Sequence, residues 1–296
     1  MTSSQGELAQ DSGALRERPV GIVGLGLIGG SLGLDLQAAG LEVRALVHRE
    51  STAERARQRQ LAQVIDRDPA VLQGCRLIVL ALPLDRLLQP PPELLAALPT
   101  DAVITDVGSV KQPVLQRWQG LHGRFVASHP MAGTAEAGVE AGLRGLFAGR
   151  PWVATPDAST DPGALALVQQ LAAVVQAHWL CCAAPVHDQA VALISHMPVL
   201  VSAALLEAAD QGGQAAAATQ LVRKLASSGF ADTSRIGGGN PELGALMARC
   251  NRQAVLEALG HYRQQLEQLE ALVQSEQWGP LQERLEHCQT IRPEFL

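Results

Sequence analysis

A chain of 296 residues with 47% apolar and 18% charged side chains carries enough apolar material for two globular cores of ordinary size. Its formal net charge of -6 gives no support to binding of nucleic acid or of an anionic membrane surface, so a small acidic partner needs a local basic pocket. The five cysteines, Cys181 and Cys182 among them adjacent, form neither an even disulfide framework nor a CxxC zinc pair; they read as reduced thiols of a cytoplasmic protein, with no metal expected.

Residues 1–18 are polar and contain no secretory apolar core, and no uninterrupted run of about 18 apolar residues occurs in the chain, so a flexible leader and no membrane span are expected. Between Val20 and about Cys181, short β-rich apolar runs at 20–23, 42–47, 77–82, 102–107, 124–128, 152–154 and 178–181 alternate with helical segments such as 27–39, 84–97 and 162–176. That alternation predicts a parallel sheet with crossover helices over 19–183. Beyond Pro185 the strand signal ends, and Ala/Leu/Gln/Glu-rich segments predict an all-α domain over 184–296. Within it, Gly212 to Thr219 reads as a flexible connection. Asn240-Pro241-Glu242 supplies an N-cap, a proline at the first helical position and an acid in the first turn, opening a helix expected to reach about Gln274, some 50 Å long. A helix of that length suggests that two copies dimerise through this half.

The first strand runs straight into Gly24-Leu25-Gly26-Leu27-Ile28-Gly29 and then an apolar helix, the setting in which the GxGxxG pattern binds a dinucleotide. Gly24 permits the tight turn, Gly26 lets a pyrophosphate approach the backbone, and Gly29 allows close helix–sheet packing; Leu27 and Ile28 offer free N–H groups. The N-terminal domain is therefore expected to be of Rossmann type. Its second strand ends in Val47 rather than in the acid that would bind an NAD ribose, and His48, Arg49, Ser51 and Thr52 follow where a 2′-phosphate would lie. This favours NADP over NAD, with Glu50 the one acid that a different loop register would aim at the ribose. Leu82 and Pro83, at the end of the strand expected at 77–82, complete the candidate cofactor contacts.

Two polar clusters follow later strand ends, Thr105-Asp106-Val107-Gly108-Ser109-Val110-Lys111 and Ser128-His129-Pro130-Met131-Ala132-Gly133-Thr134. Open α/β sheets bind ligands on that side, so both clusters are expected to face the nicotinamide. His129, fixed by the following proline, is placed to take a proton from a substrate hydroxyl as hydride leaves the same carbon.

The segments GLGLIGGSL, TDVGSVK, SHPMAGT, HDQAVALISHMP, SSGFADTSR and GGGNPEL, in this order over about 20–252, resemble the prephenate/arogenate dehydrogenase family, and look most similar to its bacterial, arogenate-specific, NADP-using branch. The resemblance implies that His129 hydrogen-bonds the C4 hydroxyl and accepts its proton while Ser109 orients both hydroxyl and imidazole. It also implies that Arg235 holds a substrate carboxylate, that His196 lines the pocket, and that Thr134 contacts substrate. On the residues alone, Arg235 has the alternative reading of an exposed helix-end salt bridge, and His196 reads as a core residue at a proline kink. The implied reaction is oxidative decarboxylation of arogenate to tyrosine, with prephenate to 4-hydroxyphenylpyruvate as the alternative. Two positions depart from many prephenate-using relatives: Ala135 stands where they carry an acid, with Glu136 one later, and Ala231 stands where a basic residue is common. A β-hydroxyacid dehydrogenase or imine reductase, and a nucleotide-sensing protein without activity, are the other readings. The lysine typical of the β-hydroxyacid enzymes has no counterpart, since Lys224 is the helical half's only lysine and lies outside a matching glycine-rich helix.

Overall fold

The computed structural model describes residues 13–134, 136–212 and 216–295. Six strands, β1 (Val20–Val23), β2 (Val43–Leu46), β3 (Val64–Asp66), β4 (Leu77–Leu80), β5 (Val103–Asp106) and β6 (Phe125–Val126), form a parallel sheet in the order β3-β2-β1-β4-β5-β6. This is the doubly wound order, in which ligands sit outside the carboxyl ends of the strands where the winding reverses, here between β1 and β4. Successive side chains alternate faces: Val20, Ile22, Leu77 and Val79 join one buried cluster, Val23, Ile78, Leu80 and Ile104 the other. Helix α1 (Leu27–Ala38) buries Leu32 and Leu36 completely in the first cluster, each worth about 1.5–3 kcal/mol of removed apolar surface.

The sheet departs from expectation in three places. β3 was not foreseen, because only Ile65 of its three residues is buried and no apolar run marks it. The single strand expected at 124–128 divides at Ala127: β6 stays in the parallel sheet, while β7 (Ser128–Pro130) enters a second sheet. There it pairs antiparallel with β8 (Pro151–Ala154), which pairs parallel with β9 (His178–Cys181), so the last expected strands do not extend the parallel sheet. The capture of Ser128 N–H by Asp106 Oδ1, at 3.1 Å, accompanies the division. Among the crossovers, α2 (Glu50–Gln58) follows β2, whereas the helical stretch expected at 84–97 is two short helices, α3 (Leu84–Leu88) and α4 (Pro92–Ala97). Pro90 and Pro91 break it, having no N–H to donate and forcing the preceding backbone out of the helical region. Helices α5 (Gln112–Gln119) and α6 (Pro162–Val174) complete this half.

The second half, among the described residues, is helical throughout: α7 (Ala184–Val191), a π-helical turn at Ala192–His196, α8 (Met197–Gln211), α9 (Ala216–Leu225), α10 (Ser228–Ser234), α11 (Pro241–Cys250), α12 (Arg252–Gln274) and α13 (Trp278–Ile291). The connection expected over 212–219 is shorter than that, since α9 starts at Ala216; residues 213–215 lie outside the described residues. Asn240 caps α11 as expected, its Oδ1 accepting from the N–H groups of Glu242 and Leu243. The helix then breaks at Asn251 instead of running through to Gln274 (φ −117°, ψ 35°), leaving α12 about 35 Å long. The Asn251 amide is buried, donating to the Asp188 carbonyl at 2.7 Å and lying 3.2 Å from His196 Nδ1. Although no unbroken apolar run marks it, the helical stretch Ala184–Gln211 is long and apolar enough by composition to cross a membrane. It also carries His187, Asp188 and His196, all buried toward the N-terminal half.

Candidate active site

Steric demands fix the glycine turn between β1 and α1. Gly24 has φ +94°, and a Cβ there would lie 2.4 Å from the Ala81 carbonyl oxygen. A Cβ at Gly29 would meet the Gly24 carbonyl at 2.0 Å, so the helix approaches the strand as closely as backbone allows. Gly26 is different: nothing lies within 4 Å of a Cβ there, so its side faces open space, and the first turn of α1 presents N–H groups with no side-chain cap. Those donors and the helix dipole suit a pyrophosphate, and the residues present fit a dinucleotide. Leu82 lies beside Gly24, its Cδ2 3.6 Å from the same hypothetical Cβ, and Pro83 caps α3 in the loop below.

At the end of β2, His48 and Arg49 are exposed, and Ser51 and Thr52 stand in the first turn of α2. Glu50 is turned toward basic neighbours, 3.0 Å from Arg57 and 3.6 Å from Arg67. The Arg49 guanidinium has no hydrogen-bond or ionic partner among the described residues.

The carboxyl ends of β1, β4 and β5 are in register, with Val23 opposite Leu80 and Leu80 opposite Asp106. Two strand spacings, about 10 Å, therefore separate the glycine turn from the end of β5. Asp106 is fully buried there against Lys111, also fully buried, and it receives the N–H groups of Gly108 and Ser128. Lys111 Nζ donates in addition to the Ser128 carbonyl at 2.6 Å. Burial pushes the Asp106 carboxyl up and the Lys111 ammonium down, and their mutual attraction opposes both shifts.

This network holds the residue immediately before His129. The half-buried His129 ring has its Nδ1 3.0 Å from His187 Nε2, at an interplanar angle of 73°. Burial first, then His187, Lys111 and His196, hold the His129 imidazole well below its ordinary pKa, so it stands neutral and able to accept a proton. The Ser109 hydroxyl is buried without a hydrogen-bond partner among the described residues. His129 Nδ1 is thus engaged by His187, a side chain from the second half.

His196 ends the π-helical turn, 2% exposed, just before Pro198. Asn251 Nδ2 must be the donor to its Nδ1, since the same NH₂ group serves the Asp188 carbonyl; Nε2 then carries the proton, and it has no partner among the described residues. Burial, partly offset by Asp188, pushes His196 down to about 4. Arg235 caps α10, exposed and unpaired among the described residues. Its turn is pinned to α8, where Ser202 Oγ donates to the Thr233 carbonyl and accepts from Gly237 N–H, six residues beyond His196. Along a helix that is about 9 Å. Thr134 is exposed and accepts from Glu136 N–H at 3.2 Å, whereas Ala135 lies outside the described residues.

Sequence reasoning gave no individual role to His187, Asp188, Lys111, Asp106 or Asn251, although Asp106 and Lys111 lie in a cluster expected to face the nicotinamide. Four of the five stand inside the quoted segments TDVGSVK and HDQAVALISHMP, but which of those polar residues meet across the two halves is a tertiary fact.

A dinucleotide-shaped glycine turn with a neutral imidazole at the same sheet edge defines an oxidoreductase that uses a nicotinamide cofactor. The sequence matches the descriptions "Prephenate dehydrogenase, nucleotide-binding domain" over 32–181 and "Prephenate dehydrogenase, dimerization domain" over 183–287. The chain belongs to the prephenate dehydrogenase family, and it is an NAD(P)-dependent dehydrogenase. It is 30% identical to the cyclohexadienyl dehydrogenase of Zymomonas mobilis, over 92% of this chain and 94% of that one. The crystal structure of Synechocystis arogenate dehydrogenase is similar at 41% identity and TM-score 0.79, covering 94% of this chain and 100% of that one. Prephenate dehydrogenase from A. aeolicus, solved in complex with hydroxyphenyl propionate and NAD+, is similar at 27% identity and TM-score 0.87, covering 94% and 98%.

Proposed function

We propose that this enzyme converts L-arogenate to L-tyrosine by oxidative decarboxylation, with NADP as hydride acceptor. The observation that carries the reading is the engagement of His129 Nδ1 by His187, which leaves Nε2 as the ring nitrogen open to a substrate; the Ser109 hydroxyl, without a hydrogen-bond partner among the described residues, follows the end of β5. Nε2 takes the proton of the ring C4 hydroxyl, and Ser109 steadies that hydroxyl by a hydrogen bond. A nicotinamide held by the glycine turn would supply the acceptor for the hydride that leaves C4. Breaking the bond to the ring carboxylate releases carbon dioxide and sends its electron pair through the ring to the oxygen, which recovers the proton from His129. The balance is one hydride transferred, one carbon dioxide lost and no net proton.

Arg235 and His196 serve the substrate: the planar guanidinium grips a carboxylate, the Nε2–H of His196 supplies a fixed donor, and Thr134 closes the pocket. For the cofactor, Gly24, Gly26, Leu27, Ile28 and Gly29 hold the pyrophosphate, Leu82 and Pro83 flank it, and Arg49 with His48, Ser51 and Thr52 receives a 2′-phosphate. The ties of Glu50 to Arg57 and Arg67 support NADP over NAD, because they draw its carboxylate away from a ribose. The 41% identity to an arogenate dehydrogenase supports arogenate. Prephenate, with a carbonyl in place of the amine, offers the same ring to His129.

We assign 19–183 to cofactor binding and 184–296 to substrate binding and association. Two copies pair through the helical half, burying exposed apolar residues such as Leu193, Ile194, Leu221, Leu225 and Leu256; the match to a dimerization domain supports this. Parallel steady-state runs with arogenate and prephenate, each with NADP and NAD, test the proposal. Arogenate with NADP should have the highest kcat/KM; a preference for prephenate or for NAD overturns the corresponding half.

A further inference from the structure

The chain of hydrogen bonds behind His129 continues past His187. His187 Nδ1 lies 2.8 Å from Asp188 Oδ1, and both residues are buried, at 3% and 4% exposure. Asp188 is surrounded by donors: Oδ1 also accepts from Lys111 N–H at 2.7 Å, and Oδ2 from Gln112 N–H at 2.9 Å, at the start of α5. A carboxylate among backbone donors at a helix N-terminus is an acceptor, so the shared proton of the His187–Asp188 contact sits on His187 Nδ1. With that one proton on Nδ1, His187 presents a lone pair at Nε2, and the hydrogen bond that His129 Nδ1 makes to it is as a donor.

We propose that His187, itself fixed by Asp188, is a positioning residue that locks His129 in the Nδ1–H tautomer and so leaves the Nε2 lone pair for the substrate hydroxyl. An isolated imidazole favours the opposite tautomer, with the proton on Nε2, in which the nitrogen facing substrate has no lone pair to accept a proton. The device spans both halves of the protein: His129 is supplied by β7, His187 and Asp188 by α7, and Lys111 closes the ring by donating its N–H to Asp188 and its Nζ to the residue before His129. When His129 takes the hydroxyl proton, its Nδ1–H bond to His187 stays in place, and the Asp188 carboxylate one ring further back faces the new positive charge. Both halves must therefore be docked for the base to carry the correct tautomer.

This inference rests on the reading of His129 as the base, so His129→Asn is measured alongside. In the full-length protein with cofactor bound, histidine ¹⁵N spectra read the tautomer directly. The wild type should show His129 protonated at Nδ1; a proton on Nε2 overturns the proposal without any variant. His187→Leu should move that proton to Nε2 and lower kcat about 10- to 100-fold, a loss of the size seen when an orienting partner is removed, with KM and cofactor affinity within about twofold. His187→Gln, which keeps an acceptor oxygen, should retain the Nδ1–H tautomer and recover most of the turnover. An inactive His129→Asn together with a His187→Leu variant of unchanged kcat and tautomer overturns the positioning role alone. An active His129→Asn overturns the base assignment and the proposal with it.

Discussion

The ammonium of Lys111 is fully buried against the carboxylate of Asp106, and the same Nζ reaches the Ser128 carbonyl at 2.6 Å, one residue before His129. A structural ion pair and the presentation of the imidazole are thus one arrangement. Lys111→Met strands a buried carboxylate, so urea denaturation should show a loss of about 3–5 kcal/mol, and adding Asp106→Asn should return part of it, since no uncompensated charge remains. A single-variant loss under about 1 kcal/mol contradicts the burial of the pair.

Two glycines of the first crossover separate folding from binding. A Cβ at Gly33 would lie 1.9 Å from the Leu61 carbonyl oxygen, so Gly33→Ala should cost about 1–3 kcal/mol or more in stability, read as a lower Tm. A Cβ at Gly26 meets nothing within 4 Å, and Gly26→Ala should leave Tm nearly unchanged while raising the cofactor KM. Equal cofactor KM in that variant would remove Gly26 from the pyrophosphate contact.

Arg49, after β2, is exposed and unpaired among the described residues. Losing a charge-assisted bond to phosphate, worth about 1.5–3 kcal/mol, predicts that Arg49→Ala raises the NADP KM by about 10- to 100-fold and leaves the NAD KM within about twofold. Parallel increases for both cofactors would place the guanidinium away from the 2′ position.

How much of this was legible in the sequence depends on the range of the interaction involved. The glycine turn and its strand–helix setting were readable because β1, Gly24, Gly26, Gly29 and α1 are contiguous. Ser109 was readable as a residue following the end of β5, whereas His129, expected just after a strand, stands inside the short β7. What escaped depended on contacts between distant segments. Nothing local in 240–274 shows that Asn251 leaves the helix, and its buried amide bridges Asp188 and His196, 63 and 55 residues away. Likewise 124–128 looks like one β-rich run, yet Ser128 is tied to Asp106 and Lys111 and leads into a different sheet. His187 and Asp188 stood in plain view in HDQAVALISHMP, but their role is defined by a partner 58 residues away.

Burial lowers His196 from 6.5 to about 4 in the folded protein. Between those values the unfolded chain binds the extra proton and the folded one does not, so stability is complete above about pH 6.5 and falls as the pH drops toward 4. His129, depressed by burial in the same direction, adds to the slope. The wild type should lose about 3 kcal/mol from His196 across that window in denaturation curves, and His196→Gln should flatten the dependence. A stability that rises on acidification from pH 6.5 contradicts the burial of a neutral His196.

Turnover of His129→Asn, measured together with the dissociation constant for NADP, tests the central claim most directly. Removing a general base from an intact cofactor site predicts kcat lower by about 10²–10⁴ with NADP binding unchanged. Wild-type turnover in the variant would show that the proton leaves the ring hydroxyl by another route and that the imidazole beside His187 is not the base.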